Sequence, residues 1–111
     1  MKMKTIEDYI NTLPQRLKQD NIEGWNSTFH FEVTGDDCGE WTISIADGKC
    51  QVSKGIIGAA NCTVKMSDKT YIGIELGAVN PQIAFMMGKI KISNIGEMMK
   101  YIEAFNQLKK D

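Results

Sequence analysis

The sequence lacks the features that would point to a metal site, a disulfide framework or a nucleic-acid partner. Its three cysteines, Cys38, Cys50 and Cys62, are an odd number without a Cys-x-x-Cys pair, and His30 is the single histidine. Neither a fully paired disulfide set nor a common zinc ligand set is therefore expected. With a formal net charge of −1, the chain has no excess of basic residues for a nucleic acid. We expect buried, inert thiols, no metal and no nucleic-acid partner.

Long apolar runs and targeting segments are also missing. No run approaches the length of a bilayer span, and the basic start Met1-Lys2-Met3-Lys4 is not followed by the apolar core of a secretory leader. The last residues, Leu108 to Asp111, do not spell a tripeptide for organelle import. With 111 residues, of which 42% are apolar, the chain is long enough for one core. We expect a single domain over residues 1–111, located in the cytoplasm.

Apolar and polar residues alternate in five segments, which predicts five strands with one apolar face each. In the first, Phe29, Phe31 and Val33 share a face, and His30 and Glu32 lie on the other. Asp47-Gly48, between the second and third strands, is a strong signal for a two-residue hairpin. A sheet with one buried and one solvated face follows. The apolar faces of the remaining strands carry Trp41, Ile43 and Ile45; Cys50 and Val52; Cys62, Val64 and Met66; and Ile90 and Ile92.

Helical spacing appears before, between and after these strands. The first helix is capped by Thr5, and Pro14 either kinks it or begins a second short helix. Ser67 is predicted to cap a helix closed by Gly77, and Asn80 to cap another that begins at Pro81. An amphipathic helix is predicted over Ile95–Lys109. The result is an α+β domain with a five-stranded, mostly antiparallel sheet, covered on one face by four to five helices. The apolar side of the last helix carries Met98, Met99, Ile102, Phe105 and Leu108.

No catalytic constellation is evident. His30 and Glu32 could form an acid–base pair in a small lipid hydrolase or isomerase, but two solvated neighbours on a strand are far commoner. The glycines lack the spacing of a phosphate-binding loop, so no cofactor is expected. Asp36, Asp37 and Glu40 supply too few ligands for a calcium loop. We expect a protein that is not an enzyme.

Methionine is the unusual residue. Two adjacent pairs, Met86-Met87 and Met98-Met99, flank the fifth strand, and Met66 ends the fourth. Because methionine is flexible and polarisable, it fills irregular cores and also lines unselective apolar sites. Composition alone leaves both alternatives open.

The segment "CTVKMSDKTYIGIELGAVNPQIAFMMGKIKIS" resembles the second half of the sterol carrier protein-2 family, the non-specific lipid-transfer proteins. The shared features are a "CTxxMxD" strand end, a helix ending in "LG", then "NPQxAF" and "GKIKI" leading into a Met-rich helix. Upstream, "GEWTISIADGKCQV" and "FHFEVTG" resemble earlier strands of the family, so the match runs from Phe29 to Phe105. The turn at Ser93-Asn94-Ile95-Gly96 departs from the family pattern. A stand-alone, prokaryotic-type member is the interpretation we favour.

The resemblance implies a hydrophobic tunnel between the sheet and the helices. It would take fatty acids, fatty acyl-CoA, sterols or phospholipids without covalent chemistry, in a monomer or weak dimer with transient membrane contact. Ligand access would need the last helix to shift. The main alternative is an accessory interaction or oligomerisation module of the same fold with a filled core. The tunnel residues implied by the resemblance are Phe31, Val33, Ile43, Ile45, Val52, Val64, Met66, Phe85, Met86, Met87, Ile90, Ile92, Met99, Ile102 and Phe105.

Overall fold

The computed structural model describes residues 5–20 and 22–106, and the order of its elements is the predicted one. Two short helices come first, then four strands, two helices, a last strand and a last helix. Their bounds are α1 (Ile6–Ile10), α2 (Leu13–Arg16), β1 (Ser27–Thr34), β2 (Gly39–Ala46), β3 (Lys49–Lys54), β4 (Cys62–Ser67), α3 (Asp68–Glu75), α4 (Pro81–Met86), β5 (Ile90–Ile92) and α5 (Ile95–Ala104).

The five strands form one mostly antiparallel sheet in the order β3-β2-β1-β4-β5. Only the central pair, β1 with β4, is parallel, because the chain crosses over between β3 and β4. Asp47 and Gly48 have φ values of 55° and 74°, the left-handed conformations that a tight hairpin with this twist requires. The strands β3 and β5 are the two edges of the sheet. Five mostly antiparallel strands covered by helices confirm the predicted fold class.

The helices cover the apolar face in two groups. The helix α2 packs on β3, whereas α3, α4 and α5 contact β1, β4 and β5. Between them Phe29, Ile43 and Val64 are completely buried. The first helical segment consists of two short helices, which was one of the two predicted alternatives for Pro14. Thr5 caps α1 through a reciprocal box with Asp8, and Pro14 lies in the first turn of α2.

The last helix ends earlier than predicted. Instead of running to Lys109, it ends at Ala104, and Phe105 is extended and pairs with Leu17. The Lys18 N–H donates to the Ala104 carbonyl and the Asn106 N–H to the Arg16 carbonyl, both at 2.7 Å. These bonds to a distant segment replace the next helical turn. Leu108 and Lys109 lie outside the described residues.

The polar face of the sheet is not fully solvated as predicted, because residues 55–60 cross part of it. The Thr42 hydroxyl donates to the Gly55 carbonyl at 2.7 Å and accepts from the Ile57 N–H at 2.9 Å. His30 Nε2 lies 3.1 Å from the Ile57 carbonyl oxygen, and His30 is only 8% exposed. His30 therefore holds a loop in place rather than standing free beside Glu32. Among the described residues, no helix has the length and apolarity needed to cross a membrane.

Candidate functional site

Two apolar pockets lie between the α3–α5 group and the sheet. The first, which we name the α4 pocket, has a volume of about 150 Å³ and lies between α4, β5 and α5. The second, the Tyr71 pocket, has a volume of about 110 Å³ and lies between α2, α3 and the C-terminal half of α5. Pro81, Met98 and Ile102 line both. These three side chains therefore form the partition between two neighbouring apolar spaces.

The position of α4 follows from its sequence. The Asn80 side chain accepts hydrogen bonds from the backbone N–H groups of Gln82 and Ile83, at 2.8 and 3.2 Å, and so begins the helix. Of the six residues in α4, only Ala84 is buried. The chain turns back at Gly88, whose φ is 80°. The helix is therefore a short cover, attached to the core at Ala84.

The helix α5 is fixed at both ends. At its start, Glu97 accepts hydrogen bonds from Ser27 Oγ at 2.7 Å and from Trp25 Nε1 at 3.0 Å. The Ser27 hydroxyl is the main reason that the pKa of the Glu97 carboxyl is lowered. At its end, Phe105 is paired with Leu17. Glu97 therefore links α5 to Ser27 of β1 and to Trp25.

One end of the Tyr71 pocket is closed by a charged pair. Arg16 Nη2 lies 2.6 Å from Glu75 Oε2, and their side chains are only 11% and 12% exposed. Glu75 Oε2 also accepts from the Tyr71 hydroxyl at 3.1 Å, and Arg16 Nε donates to Thr12 Oγ1 at 3.0 Å. Burial, followed by the charge of Glu75, raises the pKa of Tyr71 well above its usual value. The pair is thus satisfied within the protein, and Tyr71 stays neutral.

A cluster of aromatic rings borders this pocket. The ring of Tyr101 lies 4.9 Å from Phe29, 5.3 Å from Phe31 and 4.7 Å from Phe105, measured between centroids. Such tilted contacts stabilise beyond simple burial. Phe31, Tyr101 and Phe105 line the Tyr71 pocket, so these packed rings form part of its wall.

The structure brings nine of the predicted site residues to the two pockets. Phe31, Met66 and Phe105 line the Tyr71 pocket, Ile102 lines both, and Phe85, Met86, Ile90, Ile92 and Met99 line the α4 pocket.

The other six predicted residues line neither pocket. Val33, Ile43, Ile45 and Val64 are buried in the core, Val52 is half-buried on β3, and Met87 is 65% exposed. Ile43, Ile45 and Val52 lie on β2 and β3, the half of the sheet on which α2 packs. Pro81, Met98, Tyr71 and Tyr101 are lining residues that were not predicted. Only Met98, adjacent to Met99 on the apolar side of the last helix, carried a usable signal.

The predicted tunnel is divided in this structure. A cavity of about 150 Å³ in a protein core accommodates a benzene-sized group, so each pocket alone fits only a short hydrocarbon segment. A cleft of about 640 Å³ between residues 18, 20 and 22–25 and α5 is larger, but its rim carries charges of both signs, among them Lys18, Asp20 and Glu103. The apolar pockets are therefore the better candidates for a hydrocarbon. Within the described residues, no three His, Cys, Asp or Glu side chains are grouped so that they could hold a metal.

Comparisons with known proteins agree with this fold. A sequence profile of the SCP-2 sterol transfer family matches residues 8–106. Sterol carrier protein 2 from Gallus gallus is 39% identical over 76 residues, which cover 65% of this chain and 14% of that protein. The chain therefore spans a small part of this curated relative.

Solved structures give the same fold. The solution structure of sterol carrier protein domain 2 of Helicoverpa armigera matches with a TM-score of 0.73 and 28% identity, covering 93% of this chain and 91% of that one. A sec-alkylsulfatase from a Pseudomonas species matches with a TM-score of 0.81 at 18% identity, covering 96% of this chain and 17% of that one. The second likeness concerns the fold alone.

Proposed function

This chain belongs to the SCP-2 sterol transfer family, and we propose that it binds the hydrocarbon part of a lipid, without covalent chemistry, in the α4 and Tyr71 pockets. One observation carries the proposal: the pockets are neighbours whose partition is made of three side chains, Pro81, Met98 and Ile102. Methionine changes rotamer at low cost, so a ligand chain could displace the partition and occupy both spaces. Fatty acids, fatty acyl-CoA, sterols and phospholipids are the ligand classes we consider.

Transfer energetics give the expected affinity. Each methylene removed from water contributes about 0.8 kcal/mol, so a dozen contribute about 10 kcal/mol. Immobilising the ligand and moving the partition offset a sizeable part of this. Micromolar affinity is the expected range. Since the attraction is non-directional, chain length and not chemical detail should determine selectivity.

We place the polar head of the ligand at the rim of the α4 pocket. The opposite end, in the Tyr71 pocket, is occupied by Arg16 and Glu75, whose charges are already paired. At the rim, the Met86 side chain is 83% exposed. A head group placed there would stay in contact with water. A head group left in water explains how one site could accept several classes of lipid.

We assign the movement that admits the ligand to α4. The resemblance pointed to the last helix, but α5 is tied down at Glu97 and at Phe105. By contrast, α4 has six residues, one buried residue and a left-handed glycine on either side, Gly77 and Gly88. A short cover between two such glycines can tilt at lower cost than an anchored helix.

The test uses one substitution at two methionines. Met99→Asp places a carboxylate in the apolar lining, where a bound chain would strip it of water. We expect at least a tenfold loss in affinity for a fluorescent fatty acid in solution. Met87→Asp, at an exposed methionine outside both pockets, should change affinity by less than twofold. Unchanged binding by Met99→Asp, with a circular dichroism spectrum like that of the parent, would refute the site.

The interaction module with a filled core is the second candidate. It is favoured by the small size of each pocket and by the tight aromatic packing around Tyr101. Native mass spectrometry of freshly purified protein separates the two functions. Co-purified lipid or binding of added fatty acid supports the carrier, whereas a protein that stays empty in both measurements supports the module.

A further inference from the structure

Four charged side chains form a line across the polar face of the sheet, and their signs are separated. The strand register places Glu40 of β2 opposite Glu32 of β1. On the other side of β1, Glu32 lies beside Lys65 of β4, and Lys65 lies opposite Lys91 of β5. We call these four residues the charge row. Its half on β2 and β1 is acidic, and its half on β4 and β5 is basic.

The charges of this row are poorly compensated within one chain. Each half sets two like charges directly opposite each other in an antiparallel pair, which destabilises a sheet. Opposite signs meet at the centre, between Glu32 and Lys65. Glu32 is half-buried and the other three side chains are exposed. Within the described residues, none of the four takes part in an ion pair. The two ends, Glu40 and Lys91, therefore have no opposite charge beside them in the row.

The loop of residues 55–60 makes the same face uneven in shape. The loop lies over β2 and β1, where Thr42 and His30 hold its backbone. Two adjacent apolar side chains on this loop, Ile56 and Ile57, are 44% and 56% exposed. The half of the face formed by β4 and β5 carries the exposed lysines of the row. The face thus has a raised apolar strip on one half and an open half beside it.

We propose that this face binds a second copy of the chain, in a dimer whose twofold axis runs parallel to the strands between β1 and β4. In such a dimer the same surface of both copies meets. This axis places Glu32 of each copy against Lys65 of the other, and the ends of the two rows against each other with opposite signs. It also places the loop of each copy over the open half of its partner. Stacked sheets lie about 10 Å apart, which leaves room for a loop and for paired lysine and glutamate side chains.

A second copy matches this face better than a partner with charge of one sign. A nucleic acid or an acidic protein would be attracted by Lys65 and Lys91 and repelled by Glu32 and Glu40, and a basic partner would meet the reverse. The second copy complements both halves, in charge and in shape. Because the α4 and Tyr71 pockets lie on the helix side of the sheet, the dimer leaves them accessible. The dimer does not depend on the proposed function.

The size of the contact gives the expected strength. The axis brings together four strands of each copy, about 4.8 Å apart, so the contact is about 19 Å wide. A face of this width is small beside a standard interface of about 800 Å² per partner, and exposed ion pairs contribute little each. We therefore expect a weak dimer, with a dissociation constant of roughly 10–300 μM. High salt should weaken it, because its ion pairs are close to water.

Charge reversal tests the pairing across the axis. Glu32→Lys and Lys65→Glu each turn the central pairs of the dimer into like-charge pairs, and by symmetry each substitution acts twice. In sedimentation equilibrium, from about tenfold below to about tenfold above the parent's dissociation constant, each variant alone should dimerise at least tenfold more weakly. Mixed in equal amounts, the two variants should associate like the parent, since every pair between them is again opposite in sign.

The helix side of the molecule supplies matched controls. Glu103 on α5 and Lys69 on α3 are exposed residues of the same types, so Glu103→Lys and Lys69→Glu should leave the dimer within about twofold of the parent. The loop is tested in the same way. Ile57→Asp should weaken the dimer by about fivefold or more, because its carboxylate would lose water against the partner. Met87→Asp, at a methionine that is 65% exposed on the helix side, should not weaken it.

A double variant separates loss of pairing from loss of folding. Glu32→Lys with Lys65→Glu keeps an opposite pair at the centre of the row within each chain and between the two copies, so it should dimerise like the parent. The proposal is overturned by a parent that stays monomeric over the whole concentration range, or by single variants that dimerise as well as the parent. It is also overturned if neither the mixture nor the double variant associates, or if Met87→Asp abolishes the dimer and Ile57→Asp does not.

Discussion

Replacing Ile102 by alanine tests whether the two pockets can act as one site. Ile102 is half-buried and lines both pockets. The substitution removes three carbons from the partition. Ile92→Ala removes the same three carbons from a half-buried residue that lines only the α4 pocket. The pair therefore distinguishes a joined site from one that is simply larger.

The magnitudes follow from pocket size. A space of about 150 Å³ takes a benzene-sized group, so roughly six carbons fit before the partition must move. Within that length each methylene should tighten binding about fourfold, after which the gain should fall off. In Ile102→Ala, the range of ligand lengths over which affinity rises steeply should extend by at least about three carbons, because the ligand chain continues into the Tyr71 pocket. In Ile92→Ala the extension should be smaller.

The assay is displacement of a fluorescent fatty acid by straight-chain alcohols of increasing length. Large-to-small substitutions at fully buried sites cost about 2–5 kcal/mol. Because Ile102 is half-buried, the ligand-free Ile102→Ala variant should lose about 1–2 kcal/mol in free energy of unfolding. Binding must therefore be compared under conditions where all proteins are folded. Parallel curves for the parent, Ile102→Ala and Ile92→Ala would refute the joined site.

Three further predictions concern stability and thiol chemistry. Arg16→Met should lower the free energy of unfolding by about 2–3 kcal/mol, because Glu75 is left buried without its partner. In urea titrations, the double variant Arg16→Met with Glu75→Leu should recover at least half of that loss. No recovery would contradict the pairing. Of the three cysteines only Cys38 is exposed, so one thiol should react with Ellman's reagent at pH 8 in the native state and three in denaturant; rapid reaction of Cys62 as well would contradict its burial. Burial raises the pKa of the Cys50 thiol to about 11 from its usual value of 9.0, so its contribution to stability is complete below pH 9. Between pH 9 and 11 the parent should lose up to about 2 kcal/mol relative to Cys50→Ala, since the unfolded chain releases that proton first; an equal pH dependence in both proteins would argue against the shift.

The order of elements could be predicted because its signals are local. The caps at Thr5, Ser67 and Asn80 act within three residues, and the hairpin depends on Asp47 and Gly48 alone. The alternation of apolar and polar residues predicted the buried face of each strand, because a shift of one residue in the strand pairing would expose every apolar side chain on that face.

The site depends on contacts between residues that are distant in the sequence, and these could not be predicted. Arg16 and Glu75 are 59 positions apart, and the early end of α5 depends on Leu17. Alternation also cannot distinguish Ile43, which is packed solid, from Met66, which borders a pocket. Both are apolar residues on the same face, and only the position of the helices above them separates their roles.

Nuclear Overhauser effects between a bound lipid chain and labelled methyl groups test the central claim most directly. With the methyl groups of methionine and isoleucine labelled and 1-decanol as ligand, the methylene protons should contact Met98, Met99 and Ile102, which border the pockets. Contacts confined to Ile56 and Ile57 on the far side of the sheet, or none at all under saturating decanol, would contradict it.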